Sequence, residues 1–126
     1  MSEVTCTLIK DNGIYQSSAK GIKPLLLWIN NDPQLIENSY VIDKIVGKAS
    51  ALLLIYAKIS KVHGKTMSVD ADRVLSEHNI EHSYDILTEH IINRENTGLC
   101  PMEIKVADIE DPSEAYQVLN NAVYPQ

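Results

Sequence analysis

Hydrophobic and polar positions first alternate along this chain and later recur at helical spacing. Residues 4–10 are rich in β-branched side chains and alternate in part, as in a half-buried strand, and residues 14–18 repeat the pattern. Between them, Asp11, Asn12 and Gly13 are residue types that tolerate the positive φ of a tight turn. The chain is therefore predicted to open with a β-hairpin.

Two apolar segments predict helices after the hairpin. Pro24 precedes the run 25–29 and suits the first turn of a helix, which residues 30–33 (NNDP) end, because a residue before proline resists helical dihedrals. Apolar residues over 45–56 recur at i+3 and i+4 and cover almost the whole circumference, which is typical of a central helix. Asp43 is predicted as the N-cap of this helix.

Shorter segments of strand and helix character alternate in the second half. The predicted elements are strands over 61–67 and 80–84, a helix over 70–78, a helix or turn over 85–92, a helix after Pro101 that runs through Asp108, and a helix that begins at Pro112. Such alternation indicates one α/β domain spanning residues 1–126. We expect a three-layer α/β/α arrangement, with helices on both faces of a mixed sheet.

Composition narrows the function classes. The formal net charge of -6 argues against a nucleic-acid-binding protein, which usually carries a basic footprint. Cys6 and Cys100 lack the paired spacing of a disulfide framework or zinc module, so we predict a cytoplasmic protein without metal or cofactor. The first residues do not resemble a signal peptide, and no apolar run reaches the ~20 residues of a membrane helix, so no membrane partner is expected.

The sharpest candidate chemistry lies at the start of the helix predicted after residue 100. Cys100 stands at the N-cap position, Pro101 at the first helical position, and Glu103 at the position of a capping box. A thiol there would face free N–H groups and the positive end of the helix dipole, which favours a thiolate. Cys100 is thus a candidate nucleophile or sulfur carrier; the alternative is a half-buried cap residue.

The polar segment before this cysteine adds candidate ligand-binding groups. Arg94 suits a carboxylate or phosphate, and Asn93 and Thr97 offer hydrogen-bonding groups beside Gly98. The alternative for Arg94 is a structural ion pair that pins the loop.

The start of the central helix supplies the remaining candidates. Lys48 is predicted to bind an anion or to act as the charge partner of Cys100, provided that the two helix starts face each other. The alternative is a solvated lysine. Asp43 and Glu103 complete the predicted set of ligand-binding residues.

Three segments resemble a small bacterial family of unknown function that belongs to the cytidine deaminase-like superfamily. They are residues 43–49 (DKIVGKA), 92–103 (INRENTGLCPME) and 111–116 (DPSEAY). The resemblance covers residues 4–123 and implies a three-layer fold whose mixed sheet opens with a hairpin. It also implies that the first two segments mark the two helix starts that form the zinc site in true deaminases.

The zinc motifs of true deaminases are degenerate in this chain. Those enzymes use a His-or-Cys-x-Glu helix start and a Pro-Cys-x-x-Cys helix start. Val46 and Lys48 stand where the first motif has its ligand and its glutamate, and Glu103 stands where the second has a cysteine. Catalytic zinc usually has three protein ligands. The resemblance therefore implies a zinc-independent protein.

Two functions follow, and the sequence leaves open whether either is enzymatic. In the first, a small anionic or nucleotide-like ligand binds between the two helix starts, with or without catalysis by Cys100. In the second, a degenerate deaminase fold serves as an interaction or regulatory module, for which a homo-oligomer is possible. Fold analogy alone does not decide between them.

Overall fold

The part of the chain that the structure describes contains five strands in one open, mixed sheet. The computed structural model describes residues 3–92 and 98–125. Its strands are β1 (Cys6–Lys10), β2 (Gly13–Ser17), β3 (Tyr40–Val46), β4 (Lys61–Ser68) and β5 (Glu81–Thr88). They lie in the order β2-β1-β3-β4-β5; β1 is antiparallel to both of its neighbours, and β3, β4 and β5 are parallel.

Within residues 3–92 and 98–125, six helices accompany the sheet. They are α1 (Lys23–Asn31), α2 (Pro33–Ile36), α3 (Lys48–Tyr56), α4 (Val69–Glu77), α5 (Pro101–Lys105) and α6 (Pro112–Val123). The α/β class and the opening hairpin are confirmed, with Asp11 at φ 53° in the turn. Prolines begin helices as predicted: Pro24 lies in the first turn of α1, and Pro112 follows the N-cap Asp111, whose side chain accepts a hydrogen bond from the Glu114 N–H.

The helices cover one face of the sheet. Cys6, Leu8, Val41 and Val62 are buried on that face, whereas the residues that follow them, Thr7, Ile9, Ile42 and His63, are only half-buried. The parallel connections place α3 and α4 on the same side, because such crossovers are almost always right-handed. Over residues 3–92 and 98–125, the second face has no covering helix, so the predicted α/β/α layering is not what the structure has.

Helix α3 is the centre of the fold. Every residue from Lys48 to Leu54 is buried, and the helix packs against α1, α4, α5 and α6. The all-round apolar pattern in the sequence predicted this central position. The described part of the chain contains no helix of the length and hydropathy that a membrane crossing requires.

The strand alternation breaks at the same level in β3 and β4. Asp43 and Val46 are both buried although they are three residues apart, and so are Gly64 and Met67. Direct pairing joins Asp43 to Gly64 and Val46 to Met67. A regular strand would place residues three apart on opposite faces. Residues at this level of β3, Asp43 to Ile45, line a cleft beside the starts of the helices.

Three predicted boundaries are wrong. Asp43 is not an N-cap: it lies within β3, and α3 begins after Gly47. The helix or turn expected over 85–92 is partly strand, because β5 continues to Thr88. Helix α5 is also shorter than predicted and ends at Lys105.

Candidate functional site

A cleft of about 930 Å³ opens where the starts of three helices meet the end of β3. Its lining includes Ile22 and Lys23 at the start of α1, Gly47 before α3, and Cys100 and Pro101 at the start of α5. Polar groups come from Asp43, Ser50, Cys100 and Glu103, and apolar walls from Ile22, Ile91, Met102 and Val123. Lys20, Lys23 and Lys44 add positive charge, and Glu3, which pairs with Lys44 at 3.0 Å, adds negative charge. The cleft thus combines an apolar interior with a few polar groups.

Glu103 caps α3 rather than its own helix. Its Oε1 accepts a hydrogen bond from the Lys48 N–H and its Oε2 one from the Ala49 N–H, each at 2.8 Å. Gly47, the N-cap residue, has no side chain to do this. A Cβ at residue 47 would lie 2.5 Å from Oε1 of Glu103, so the absence of a side chain admits the carboxylate. Desolvation raises the pKa of Glu103, and the two N–H groups oppose that rise.

Asp43 is a buried carboxyl on the cleft wall. It is 6% exposed, and its Oδ1 accepts a hydrogen bond from the Lys44 N–H at 2.8 Å. Burial raises the pKa of Asp43 to about 7, against the opposing effect of main-chain N–H groups of Lys44 and Ile45. Cys6 lies directly opposite Asp43 on β1. The pKa of the Cys6 thiol is raised mainly by burial and, to a smaller extent, by the nearby Asp43. The structure therefore keeps an acidic group where its ionisation is unfavourable.

Lys48 begins α3, but its side chain does not line the cleft. The residue is 3% exposed; its Nζ lies 2.6 Å from Oε2 of Glu110 and donates to the carbonyl oxygen of Ala107 at 3.0 Å. Arg73 binds the same Glu110 through both terminal nitrogens, at 2.9 and 3.2 Å. These two cations lower the pKa of Glu110 to about 2, Arg73 having the larger effect. The structure does not bring the Lys48 ammonium together with Cys100.

Cys100 lies on the cleft as a free, half-buried thiol. It is the N-cap of α5, and its side chain makes no capping hydrogen bond. Because α5 has only five residues, its dipole is smaller than that of the longer helix predicted from the sequence. Its main-chain N–H donates to the carbonyl oxygen of Ile91 at 2.9 Å, which fixes the start of α5 against the cleft wall.

Of the residues predicted in the loop before Cys100, Gly98 is the one that falls within the described part of the chain. Gly98 is exposed, and a Cβ there would meet nothing within 4 Å. Asn93, Arg94 and Thr97 lie outside the described residues.

Ser50 was missed by the sequence reasoning. It is 6% exposed and lines the cleft, and its hydroxyl has no hydrogen-bond partner among the residues that the structure describes. The available signal was a serine in the first turn of a helix that is otherwise apolar on all sides. In the same described ranges, no three His, Cys, Asp or Glu side chains are close enough together to hold a metal ion.

The fold and cleft define a class of protein: a mixed α/β protein with a five-stranded open sheet and a cleft where helices begin. Residues 1–123 match the family described as TM1506, Domain of unknown function (DUF1893), and the chain belongs to that family. The chain is similar to a solved structure, a DUF1893 family protein (TM1506) from Thermotoga maritima. The two are 28% identical, with a TM-score of 0.87 over 94% of this chain and 80% of that one. No curated protein matches the sequence.

Proposed function

We propose that this protein binds a small anionic or nucleotide-like ligand in the cleft and does so without zinc, on a variant of the cytidine deaminase-like fold that has its helices on one face of the sheet. The adjoining starts of α3 and α5 and the hairpin at one side of the sheet support the fold proposal. The observation that carries the ligand proposal is Asp43, a buried carboxyl whose described hydrogen bonds come from the main chain.

A carboxyl buried without a counter-ion lowers stability, and such groups cluster at functional sites. Asp43 has no salt bridge among the described residues and faces a cleft large enough for a ligand. Near its pKa of about 7 it can accept a hydrogen bond or donate one. We infer that Asp43 forms hydrogen bonds with polar groups of the ligand, such as adjacent N–H and carbonyl groups.

The remaining lining fits the other parts of such a ligand. Small-molecule sites typically occupy roughly 300–1,000 Å³ and are mostly apolar with a few placed polar groups. Ile22, Ile91 and Met102 offer apolar contacts to a ring, and Lys20 and Lys23 offer charge to an anionic group. A nucleotide or a phosphorylated heterocycle combines these features.

Cys100 makes a catalytic version of this function possible. Its thiol lines the same cleft as Asp43, so a bound ligand would lie within reach of both residues. Lys48 has no part in this version, since its ammonium binds Glu110. We propose Cys100 as the nucleophile only if the ligand carries an electrophilic carbon or sulfur atom.

An interaction module is the second candidate, and the uncovered sheet face favours it. Ile14 is 67% exposed and Ile86 is 60% exposed, on strands at opposite edges of the sheet. A protein partner or a second copy could cover such residues. Size-exclusion chromatography with light scattering would test self-association: a monomer at high concentration argues against the homo-oligomer.

Ligand binding is tested by thermal-shift titration with nucleosides, nucleotides and sugar phosphates, preceded by native mass spectrometry of the purified protein. We expect one compound class to stabilise the wild type, and Asp43→Ala to abolish the effect. Asp85→Ala is the matched control, because Asp85 is an exposed acidic residue on β5 outside the cleft lining. Absence of any bound compound, or equal loss in both variants, would refute the proposal.

A further inference from the structure

The first turn of α3 is built to hold an oxyanion, and a side chain of the protein occupies that place. Two N–H groups, of Lys48 and Ala49, point at the carboxylate of Glu103, and the bare Gly47 leaves room for it. Helix starts attract anions through free N–H groups and the helix dipole. Glu103 thus stands where an external anion would bind.

Ser50 is a second observation, independent of the helix start, that points to an external ligand. Ser50 is a buried residue that lines the same cleft one position after Ala49, and within the described ranges its hydroxyl makes no hydrogen bond and is open to the cleft. A carboxylate offers two oxygens, and both of Glu103 are engaged by the two N–H groups. A phosphate offers three free oxygens, which matches two N–H groups and one hydroxyl.

The element that holds Glu103 is less deeply buried than α3. None of the five residues of α5 is buried, and the helix is held at its ends, by the Cys100 N–H bonded to Ile91 and by the buried Val106. Helix α3 is buried over most of its length. Desolvation and the nearby Asp70 also disfavour the charged form of Glu103. Displacing the carboxylate therefore requires movement of a short surface helix, and the core stays in place.

We propose that the start of α3 binds the phosphate group of the ligand, and that Glu103 is an internal occupant which the phosphate displaces. This inference rests on the proposed ligand-binding function and adds to it the place and chemistry of the anionic group. Ligand binding is then coupled to an outward shift of α5. The free protein is held in a self-blocked state by its own carboxylate.

The test is a titration with inorganic phosphate that is monitored by amide NMR and by isothermal titration calorimetry. A titration with chloride at equal ionic strength is the control. We expect Glu103→Ala and Glu103→Gln to bind phosphate at least about tenfold more tightly than the wild type, because a competing charge-assisted hydrogen bond is removed. The amide signals of Lys48, Ala49 and Ser50 should shift on titration.

Adding Ser50→Ala to the Glu103→Gln variant should weaken phosphate binding by about fivefold to tenfold. Adding Gly47→Ala should also weaken it, because a Cβ fills the space that admits the anion. Equal phosphate affinity in the wild type and both Glu103 variants would overturn the inference, as would a Ser50→Ala change without effect. If ligand binding sensitive to Asp43→Ala persists in that case, only the anion site is wrong and the proposed function stands.

Discussion

Glu103 holds the main chain of Lys48 at 2.8 Å, while the ammonium of the same lysine lies 2.6 Å from Glu110. Two carboxylates that follow Lys48 by more than fifty positions in the chain therefore fix this first residue of α3 from two sides. One contact belongs to the cleft and the other to an ion-pair cluster with Arg73. The beginning of the most buried helix is thus set by tertiary contacts rather than by a local cap.

The close approach of Glu103 to Gly47 predicts a coupled effect on stability. Gly47→Ala should destabilise the protein by about 1–3 kcal/mol, because the added Cβ displaces a carboxylate that satisfies two N–H groups. Urea unfolding monitored by circular dichroism measures it. The same substitution in a Glu103→Ala background should cost less, and strictly additive effects would contradict the mechanism.

The burial of Lys48 predicts that loss of Glu110 is costly. Glu110→Gln should destabilise by about 2–3 kcal/mol, less than for a fully buried pair because Glu110 itself is largely exposed. Glu81→Gln, which breaks the exposed pair with Lys61, is the control and should cost under about 1 kcal/mol. Replacing Lys48 by Met in the Glu110→Gln background should restore stability; no rescue would show that the lysine charge is not the cause.

The pH dependence of stability should carry a signature of Asp43. Its pKa in the folded state, about 7, lies above the ordinary value of 3.8, so between these values the folded protein keeps a proton that the unfolded chain has lost. Stability therefore falls as pH rises through this window. Asp43→Asn should remove this fall and be more stable than the wild type by roughly 2–4 kcal/mol at pH 7.5.

Near pH 4 the wild type and Asp43→Asn should differ little in their free energy of unfolding. Urea midpoints at pH 4, 6 and 7.5 measure the effect, and Asp85→Asn should follow the wild-type profile. Parallel profiles for Asp43→Asn and the wild type would show that the buried carboxyl does not titrate in this range.

The two cysteines predict a single site of alkylation. Iodoacetamide should modify Cys100, which is half-buried on the cleft, and leave Cys6, which is buried in β1, unmodified in the native protein. Intact-mass and peptide mass spectrometry measure the sites, and Cys6 serves as the internal control. Both cysteines should react in urea. Modification of Cys6 at the rate of Cys100 under native conditions would contradict the placement of β1.

Local signals in the sequence were sufficient for much of the fold. The turn residues around Asp11 predicted the hairpin, Pro24 and Pro112 marked helix starts, and the all-round apolar pattern of 45–56 predicted the central helix. Each of these depends on neighbours in the chain, so tertiary structure did not need to be known.

The errors arose where distant contacts decide. An aspartate ahead of a helical pattern looks like an N-cap, but pairing with β1 and β4 extends β3 through Asp43 to Val46. The partnership of Glu103 with α3 joins residues far apart in the chain and has no local signature. The direction of the Lys48 side chain depends equally on a distant residue, Glu110.

Glu103 of α5 caps the start of α3, and these two helices are expected to differ widely in their protection from hydrogen exchange. Whenever the short helix detaches, the amides of Lys48 and Ala49 lose their acceptors, although they begin the most deeply buried helix in the protein. Those two amides would then exchange by local opening, while amides later in α3 exchange only through global unfolding. The exchange rates of the first amides of α3 would therefore measure how often α5 detaches from the surface.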